Sequence, residues 1–418
     1  MTISSFSELG LIEPILRALR DEKHEQPTPI QAQAIPHAVQ GRDILGCAQT
    51  GTGKTAAFAI PILQRLTEGK RQGQRNAPRA LILTPTRELA EQINTSVRAY
   101  GRHLKLWQAV VYGGVGMGGQ IKAISRGADI LVATPGRLLD LMRQRVVSLG
   151  SLEIFVLDEA DRMLDMGFIT DVTKIISALP SNRQTMFFSA TMPPAVTGLA
   201  GELLNDPVSV KVNPVSSTAE KVEQKVMFVE RHDKEAALLN LLKDEGIFRA
   251  LIFTRTKHKA NNIAEKLNRN MVSAEAIHGN KSQAARMKAL KNFSAGRARV
   301  LVATDIASRG IDIKGVTHVI NFEMPNEPES YVHRIGRTAR AGEAGSAISL
   351  CDSEERSILR AIERVIRIPI TVDEDHPHHS AQVAAPRQKE PRNYGGYNRN
   401  SRFKPRNSGA GYRPSSGR

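Results

Sequence analysis

Two cysteines, Cys47 and Cys351, are all that the 418 residues contain. That is too few for a disulfide framework. Both lie in apolar, strand-like surroundings, so buried free thiols in a reducing cytoplasm are expected. No Cys/His spacing suited to zinc occurs. No apolar run approaches the roughly 20 residues that a membrane span requires, so no membrane partner is expected. The opening residues, Met1 to Phe6, lack a basic patch followed by an apolar stretch, so no secretory leader is expected. Positive charge, by contrast, is plentiful. The net charge is +16, which points to a polyanionic partner. Residues 387–418 hold nine Lys/Arg and one acid, Glu390, so half of the excess lies in the last 32 residues.

The length bounds two ordinary domains and a tail, and 41% hydrophobic content is enough for real cores. Apolar strand-like runs alternate with helical patterns in two regions, the pattern of α/β folds with parallel sheets. In the first region the runs are 43–47, 80–84, 108–112, 129–133, 154–158 and 185–188. In the second they are 226–229, 250–254, 274–278, 300–304 and 318–321. The turn-rich stretch between them reads as a linker. The expected organisation is domain one over 1–207, a linker over 208–220, domain two over 221–370 and a disordered basic tail over 371–418. The segment Asp373 to His379 reads as a solvated spacer. The tail mixes Arg, Gly, Asn, Pro and Ser with Tyr394, Tyr397, Phe403 and Tyr412. Such a composition cannot bury enough apolar surface to fold. Its arginines suit phosphates and its aromatics suit bases, so it is expected to bind RNA without sequence preference.

The most informative local feature is Ala48-Gln49-Thr50-Gly51-Thr52-Gly53-Lys54-Thr55, set between an apolar strand-like run and a helix start. Strand, glycine-rich loop, Lys-Thr and helix form a cradle for nucleotide phosphates. Gly51 and Gly53 let the backbone turn its N–H groups towards an anion, and the helix N-terminus adds its positive end. Lys54 would reach the terminal phosphates, and Thr55 would ligate Mg²⁺. Further on, Ile154-Phe155-Val156-Leu157-Asp158-Glu159-Ala160-Asp161 is an apolar strand ending in acids. Mg²⁺ is a hard cation that prefers oxygen ligands, and Asp158 is placed to hold it. Glu159 is placed to orient and deprotonate an attacking water.

Asp158 to Asp161 spells DEAD. With it come Pro85-Thr86-Arg87-Glu88-Leu89-Ala90, Thr134-Pro135-Gly136-Arg137, Ser189-Ala190-Thr191 and His333-Arg334-Ile335-Gly336-Arg337-Thr338-Ala339-Arg340, in that order apart from the acids. Over about residues 1–370 the chain resembles DEAD-box ATP-dependent RNA helicases and looks most like the bacterial RhlE subgroup. The resemblance implies two RecA-like domains in tandem. It also implies adenine recognition by Gln31, within Pro27-Thr28-Pro29-Ile30-Gln31. Phe6, 25 residues upstream, is implied to stack on the base. Lys23-His24 replaces the family's Gly-aromatic pair, with His24 as a planar substitute. Asp161, Ser189, Thr191 and His333 are implied to couple hydrolysis to strand separation. Gly310 and Asp312 are implied at the nucleotide, with Asp312 near the ribose. Arg337 and Arg340 match the arginine fingers, whose guanidinium groups meet charge building on the γ-phosphate.

RNA contacts are expected from Pro85, Thr86, Arg87, Gly113, Gly114, Thr134, Gly136 and Arg137 in domain one. In domain two they are expected from Arg255, Gly279, Gln283, Arg286 and Thr304. Small, polar and arginine residues at strand ends suit a sugar–phosphate backbone. The Gly113–Gly119 run lacks dinucleotide-loop spacing, so it reads as an RNA loop. ATP and Mg²⁺ are the expected cofactors. Single-stranded or short duplex RNA is the expected partner of a monomeric, cytoplasmic enzyme. Ribosomal precursors and RNA-decay proteins are further candidate partners. A non-catalytic RNA clamp and a DNA helicase remain as rival readings.

Overall fold

The computed structural model describes residues 3–48, 51–69, 76–212, 222–305, 313, 315–339 and 345–385. Fourteen described strands divide into two seven-stranded sheets, and every pairing in both is parallel. The first contains β1 (Ile44–Cys47), β2 (Ala80–Leu83), β3 (Gln108–Val111), β4 (Ile130–Ala133), β5 (Ile154–Leu157), β6 (Gln184–Ser189) and β7 (Val208–Lys211). The second contains β8 (Val222–Phe228), β9 (Ala250–Thr254), β10 (Ala274–Ile277), β11 (Val300–Thr304), β12 (His318–Asn321), β13 (Gly345–Cys351) and β14 (Thr371–Val372). The orders are β3-β4-β2-β5-β6-β1-β7 and β10-β11-β9-β12-β13-β8-β14. Relabelled from its own first strand, the second sheet has the order of the first.

The strands are short and mostly apolar throughout because helices cover both faces of a parallel sheet. β2, β4 and β5 are buried along their whole length. Each domain therefore has two apolar layers, one on either side of its sheet. In open parallel sheets, ligands bind beyond the carboxyl ends of the strands. The loops after β1, β5 and β6 converge on that edge of domain one.

Three strands depart from the expected organisation. Val208–Lys211, assigned to a linker, is an edge strand of the first sheet. Val208 N–H donates to Asp43 O at 2.8 Å, and Val212 N–H donates to Cys47 O at 3.0 Å. Domain one therefore runs beyond residue 207. Gly345–Cys351 is a seven-residue strand that was not anticipated. Its serines break the apolar pattern, yet Ser349 is fully buried and accepts from Asn321 Nδ2 at 3.1 Å. Residues 371–385 are ordered, although the tail was expected to begin at 371. β14 pairs with β8, and Asp373 N–H donates to Val226 O at 2.9 Å. A short helix, Ala381–Ala384, inserts Val383 into the core, and Arg356 donates to Val383 O at 2.6 Å. Residues 386–418, which hold the basic tail, lie outside the described residues.

Candidate nucleotide and RNA site

The glycine loop leaves the end of β1 and enters the helix Lys54–Glu68. Gly51 has φ 88° and Gly53 has φ 96°, a left-handed backbone that favours glycine. A Cβ at Gly53 would also lie 2.4 Å from Gln31 Nε2 and 2.7 Å from Thr28 Oγ1. Ala48 is buried, and its N–H donates to Ser189 O at 3.0 Å, which ties the loop to β6. Thr52 and Thr55 are half-buried. Gln49 and Thr50 lie outside the described residues. Lys54 is 6% exposed, and its Nζ makes no hydrogen bond among the described residues. Its nearest ionic neighbour is Asp158 Oδ1 at 4.0 Å.

The acids follow β5. Asp158 Oδ1 accepts from the N–H of Glu159 at 3.0 Å. Burial pushes the Asp158 carboxyl up to about 6, against the pull of Lys54, and the neighbouring Glu159 adds to the rise. Glu159 moves the other way. Burial works to raise it, but Arg162, Lys54 and Arg337 together hold it below the ordinary carboxylate value. Arg162 Nη1 donates to Glu159 Oε2 at 2.7 Å from one turn along the same helix. Two adjacent carboxyls are thus driven apart, one towards the neutral form and one towards the charged form. Glu159 itself sits at φ 55°, ψ 50°, an unusual backbone for a side-chain-bearing residue.

Asp161 ties this helix to β6. Its Oδ2 accepts from Thr191 N–H and from Thr191 Oγ1, both at 2.8 Å. Ser189 Oγ accepts from Asp161 N–H at 3.3 Å and donates to Thr191 O at 2.7 Å. Three of the four residues expected to couple the site to motion thus form one hydrogen-bonded cluster beside the acids.

Of the adenine set, Gln31 is 6% exposed, and its amide bridges two elements. Its Oε1 accepts from Thr28 N–H at 2.9 Å, capping the helix Pro29–Val39, and its Nε2 donates to Gly53 O at 3.1 Å. Phe6 is 5% exposed and belongs to the domain-one core, where it is not presented as an open stacking face. His24 packs against Tyr100, with ring centroids 5.8 Å apart.

The domain-one RNA residues gather at the ends of β2, β3 and β4. Pro85 and Thr86 are buried, and Thr86 caps the helix Arg87–Tyr100. Arg87 lies against the glycine loop after β3. Gly114 has φ 80°, and a Cβ there would lie 2.0 Å from Arg87 Nη1; at Gly113 the nearest Arg87 atom is 3.7 Å away. Arg137 Nη1 donates to Gln120 Oε1 and Nη2 donates to Val115 O, each at 3.1 Å. Thr134 begins the helix Pro135–Arg143, and Gly136 is exposed with open space around it.

Domain two is less open. Arg255 donates from Nε to Met324 O at 2.9 Å and from Nη2 to Glu355 Oε1 at 2.5 Å. Glu355 is also paired with Lys234, so the guanidinium of the exposed Arg255 is anchored on a buried carboxylate. Gln283 and Arg286 both contact Glu88 of domain one. Gly279 is exposed, and Thr304 ends β11 almost buried. Arg337 is 4% exposed, and its Nε donates to His333 O at 3.2 Å. His333 is half-buried on the helix Pro328–Ile335. Gly310, Asp312 and Arg340 lie outside the described residues.

Residue-by-residue reading missed Arg162, Glu88 and Arg334. Arg334 is 2% exposed. It grips Asp305 with two hydrogen bonds, at 2.6 and 2.7 Å, and also bonds Asn321 Oδ1 and Glu323 O. Its guanidinium lies 4.9 Å from the Phe253 ring centroid. It fixes the helix that presents His333 and Arg337. All three residues adjoin or lie within the quoted motifs, and that adjacency was the available signal.

Comparison with known proteins agrees with this geometry. The DEAD/DEAH box helicase family model matches residues 28–199, and the helicase conserved C-terminal domain matches 233–342. The DEAD-box ATP-dependent RNA helicase CshA of Bacillus subtilis is 43% identical over 367 residues, covering 88% of this chain and 73% of the relative. CshA of Bacillus cereus is 42% identical over 365 residues, covering 87% and 69%. S. cerevisiae Dbp5 bound to RNA and ADP BeF3 superposes with TM-score 0.79 at 33% identity, covering 88% of this chain and 95% of that one. A DEAD box protein from Methanococcus jannaschii gives TM-score 0.53 at 40% identity, covering 88% and 99%. By its motifs, its two parallel-sheet domains and these relatives, the chain belongs to the family of DEAD-box ATP-dependent RNA helicases.

Proposed function

We propose that the protein couples ATP binding and hydrolysis to local, sequence-independent remodelling of RNA, in a site completed when the two domains meet. The observation that carries this reading is Lys54. A buried ammonium without a hydrogen bond is unfavourable unless an anion arrives to meet it. The left-handed glycines and the helix N-terminus beside it supply the remaining donors for phosphate.

Thr55 and Asp158 are the oxygen donors that would hold Mg²⁺, and the buried Asp158 carboxyl is a group that a cation beside it would return to its charged form. Bound there, Mg²⁺ would neutralise charge on the phosphate oxygens. Glu159, held ionised by Arg162, orients a water and takes its proton. The water oxygen bonds to the γ-phosphorus as the bond to the departing ADP breaks. Arg337, with Arg340, stabilises the charge on the γ-phosphate oxygens. The cluster of Asp161, Ser189 and Thr191, with His333 across the cleft, passes the state of the nucleotide to the RNA grip around Arg87, Gly114 and Arg137. Gln31, anchored on Gly53 O, links recognition of the base to the shape of the phosphate loop.

The Methanococcus jannaschii protein is closer in sequence than Dbp5 but superposes less well. That contrast favours an arrangement of the two domains here like that of the RNA-bound relative. The relatives above are CshA helicases and do not single out the RhlE-like subgroup that the motifs suggested; cytoplasmic residence and monomeric action are part of the same proposal. Service on ribosomal precursors or in RNA decay is a further extension of it. No described helix is long and apolar enough to cross a membrane.

The test is Glu159→Gln. ATP binding should persist while RNA-stimulated turnover falls about a hundredfold or more, within the range for loss of a general base. Near-normal turnover would remove Glu159 from the mechanism.

A further inference from the structure

The chain has one tryptophan, Trp107. Trp107 is 66% exposed, although a large aromatic side chain usually buries most of its surface. It immediately precedes β3, the outer strand of the domain-one sheet, whereas Gly113 and Gly114 follow that strand. Six residues of extended chain put Trp107 about 20 Å from the glycine loop, at the opposite end of the domain edge. Its backbone is held fast. Trp107 N–H donates to Asp129 Oδ2 at 2.9 Å, and its carbonyl accepts from Asp129 N–H at 2.7 Å and from Ile130 N–H at 3.1 Å.

Beside it lies an open cavity of about 670 Å³ rimmed by Arg98, Arg102, Lys105 and Arg126, all exposed. Arg102 is paired with Asp21 and Glu22. No ion pair among the described residues engages Arg98, Lys105 or Arg126. A solvated basic face has no need of an exposed indole, and an apolar protein partner would not be met by a ring of cations. An aromatic face flanked by uncommitted cations fits a nucleobase between phosphates.

We propose that this pocket is a second contact for single-stranded RNA, distinct from the cleft. One base stacks on Trp107, and the adjoining phosphates are held by Arg98, Lys105 and Arg126. The strand it receives has left the cleft over the Gly113–Gly114 loop and follows the domain edge. The inference extends the RNA-helicase reading and depends on it.

Because no other tryptophan exists, emission excited selectively from tryptophan reports this pocket alone. Single-stranded oligouridylate, added to the full chain, should quench it in a salt-dependent manner. Trp107→Ala, and separately Arg98→Glu combined with Arg126→Glu, should weaken binding of an oligouridylate long enough to span cleft and pocket by about fivefold or more. Binding of a short oligouridylate that fills only the cleft should be unchanged, and so should the ATPase rate that it stimulates. That unchanged rate shows an intact fold and separates failure of this proposal from failure of the helicase reading. Emission indifferent to RNA, or equal loss of affinity at both lengths, would overturn the proposal. Quenching by polyglutamate as strong as by RNA would also overturn it, in favour of an acidic protein partner.

Discussion

Glu88 of domain one and Arg286 of domain two form an ion pair across the cleft, Oε2 to Nη2 at 2.9 Å. The other carboxylate oxygen accepts from Gln283 Nε2, also at 2.9 Å. Glu88 is 2% exposed, so domain two saturates a buried carboxylate of domain one. Both Gln283 and Arg286 were expected to hold RNA; in this arrangement they hold the other domain. Removing one partner of a buried pair costs about 3–5 kcal/mol. Here that cost falls on closure, because separated domains return both groups to water.

Glu88→Ala should therefore lower the closed population and reduce RNA-stimulated ATPase about tenfold or more. Exchanging the charges, Glu88→Arg with Arg286→Glu, should recover part of the rate. A double-mutant cycle on that rate measures the coupling. Strict additivity would show that the pair does not contribute to closure.

Lys54 gives a thermal signature. A ligand that binds only the folded chain stabilises it by about 2.7 kcal/mol at a hundredfold excess over its Kd. ATP with Mg²⁺ should raise the melting temperature of the wild type and leave that of Lys54→Ala nearly unmoved. Equal shifts in the two proteins would mean that the buried ammonium is not waiting for phosphate.

Glu235 supplies a pH dependence away from the cleft. Hydrogen bonds from Lys259 at 2.7 Å and Lys266 at 2.6 Å hold its carboxyl below the ordinary value of 4.5. A carboxyl depressed in the folded state stabilises the fold above its unfolded pKa, and that stability is lost as pH falls through the folded pKa. Glu235→Gln should be less stable than wild type in urea at neutral pH. The gap should be small, because the pair is partly exposed, and it should close in acid. A gap unchanged in acid would assign the loss to packing.

The basic tail lies outside the described residues, yet its charge makes a quantitative demand. Deleting residues 386–418 should weaken RNA affinity and flatten its dependence on salt, since fewer counterions are released. ATP binding to the truncated chain should be unaffected. Unchanged affinity and slope would reduce the tail to a passive extension.

The glycine loop, the acids and most strands were legible because each is a local pattern: a run of apolar residues, a turn and a charge at a fixed offset. β7 and β14 were not legible because short edge strands have few residues and only one neighbour to satisfy. β13 was hidden by its serines, of which Ser349 is buried yet hydrogen-bonded, where hydropathy scores it as exposed. Glu88 was quoted within its motif without a role, because its partner Gln283 is 195 residues away. Periodicity tells which face is covered, never by what. Arg255 illustrates the same limit: its residue type suited phosphate, and its anchor on Glu355, 100 residues away, could not be read beside it.

The backbone of Glu159 is strained, at φ 55° and ψ 50°. A left-handed conformation costs a residue with a β-carbon about 1–2 kcal/mol that glycine does not incur. Glycine there would relieve that strain but leave the buried Arg162 guanidinium without its carboxylate partner, a loss of about 3–5 kcal/mol. The ion pair with Arg162 thus holds the acid in its left-handed backbone, so the carboxylate and its geometry are kept together.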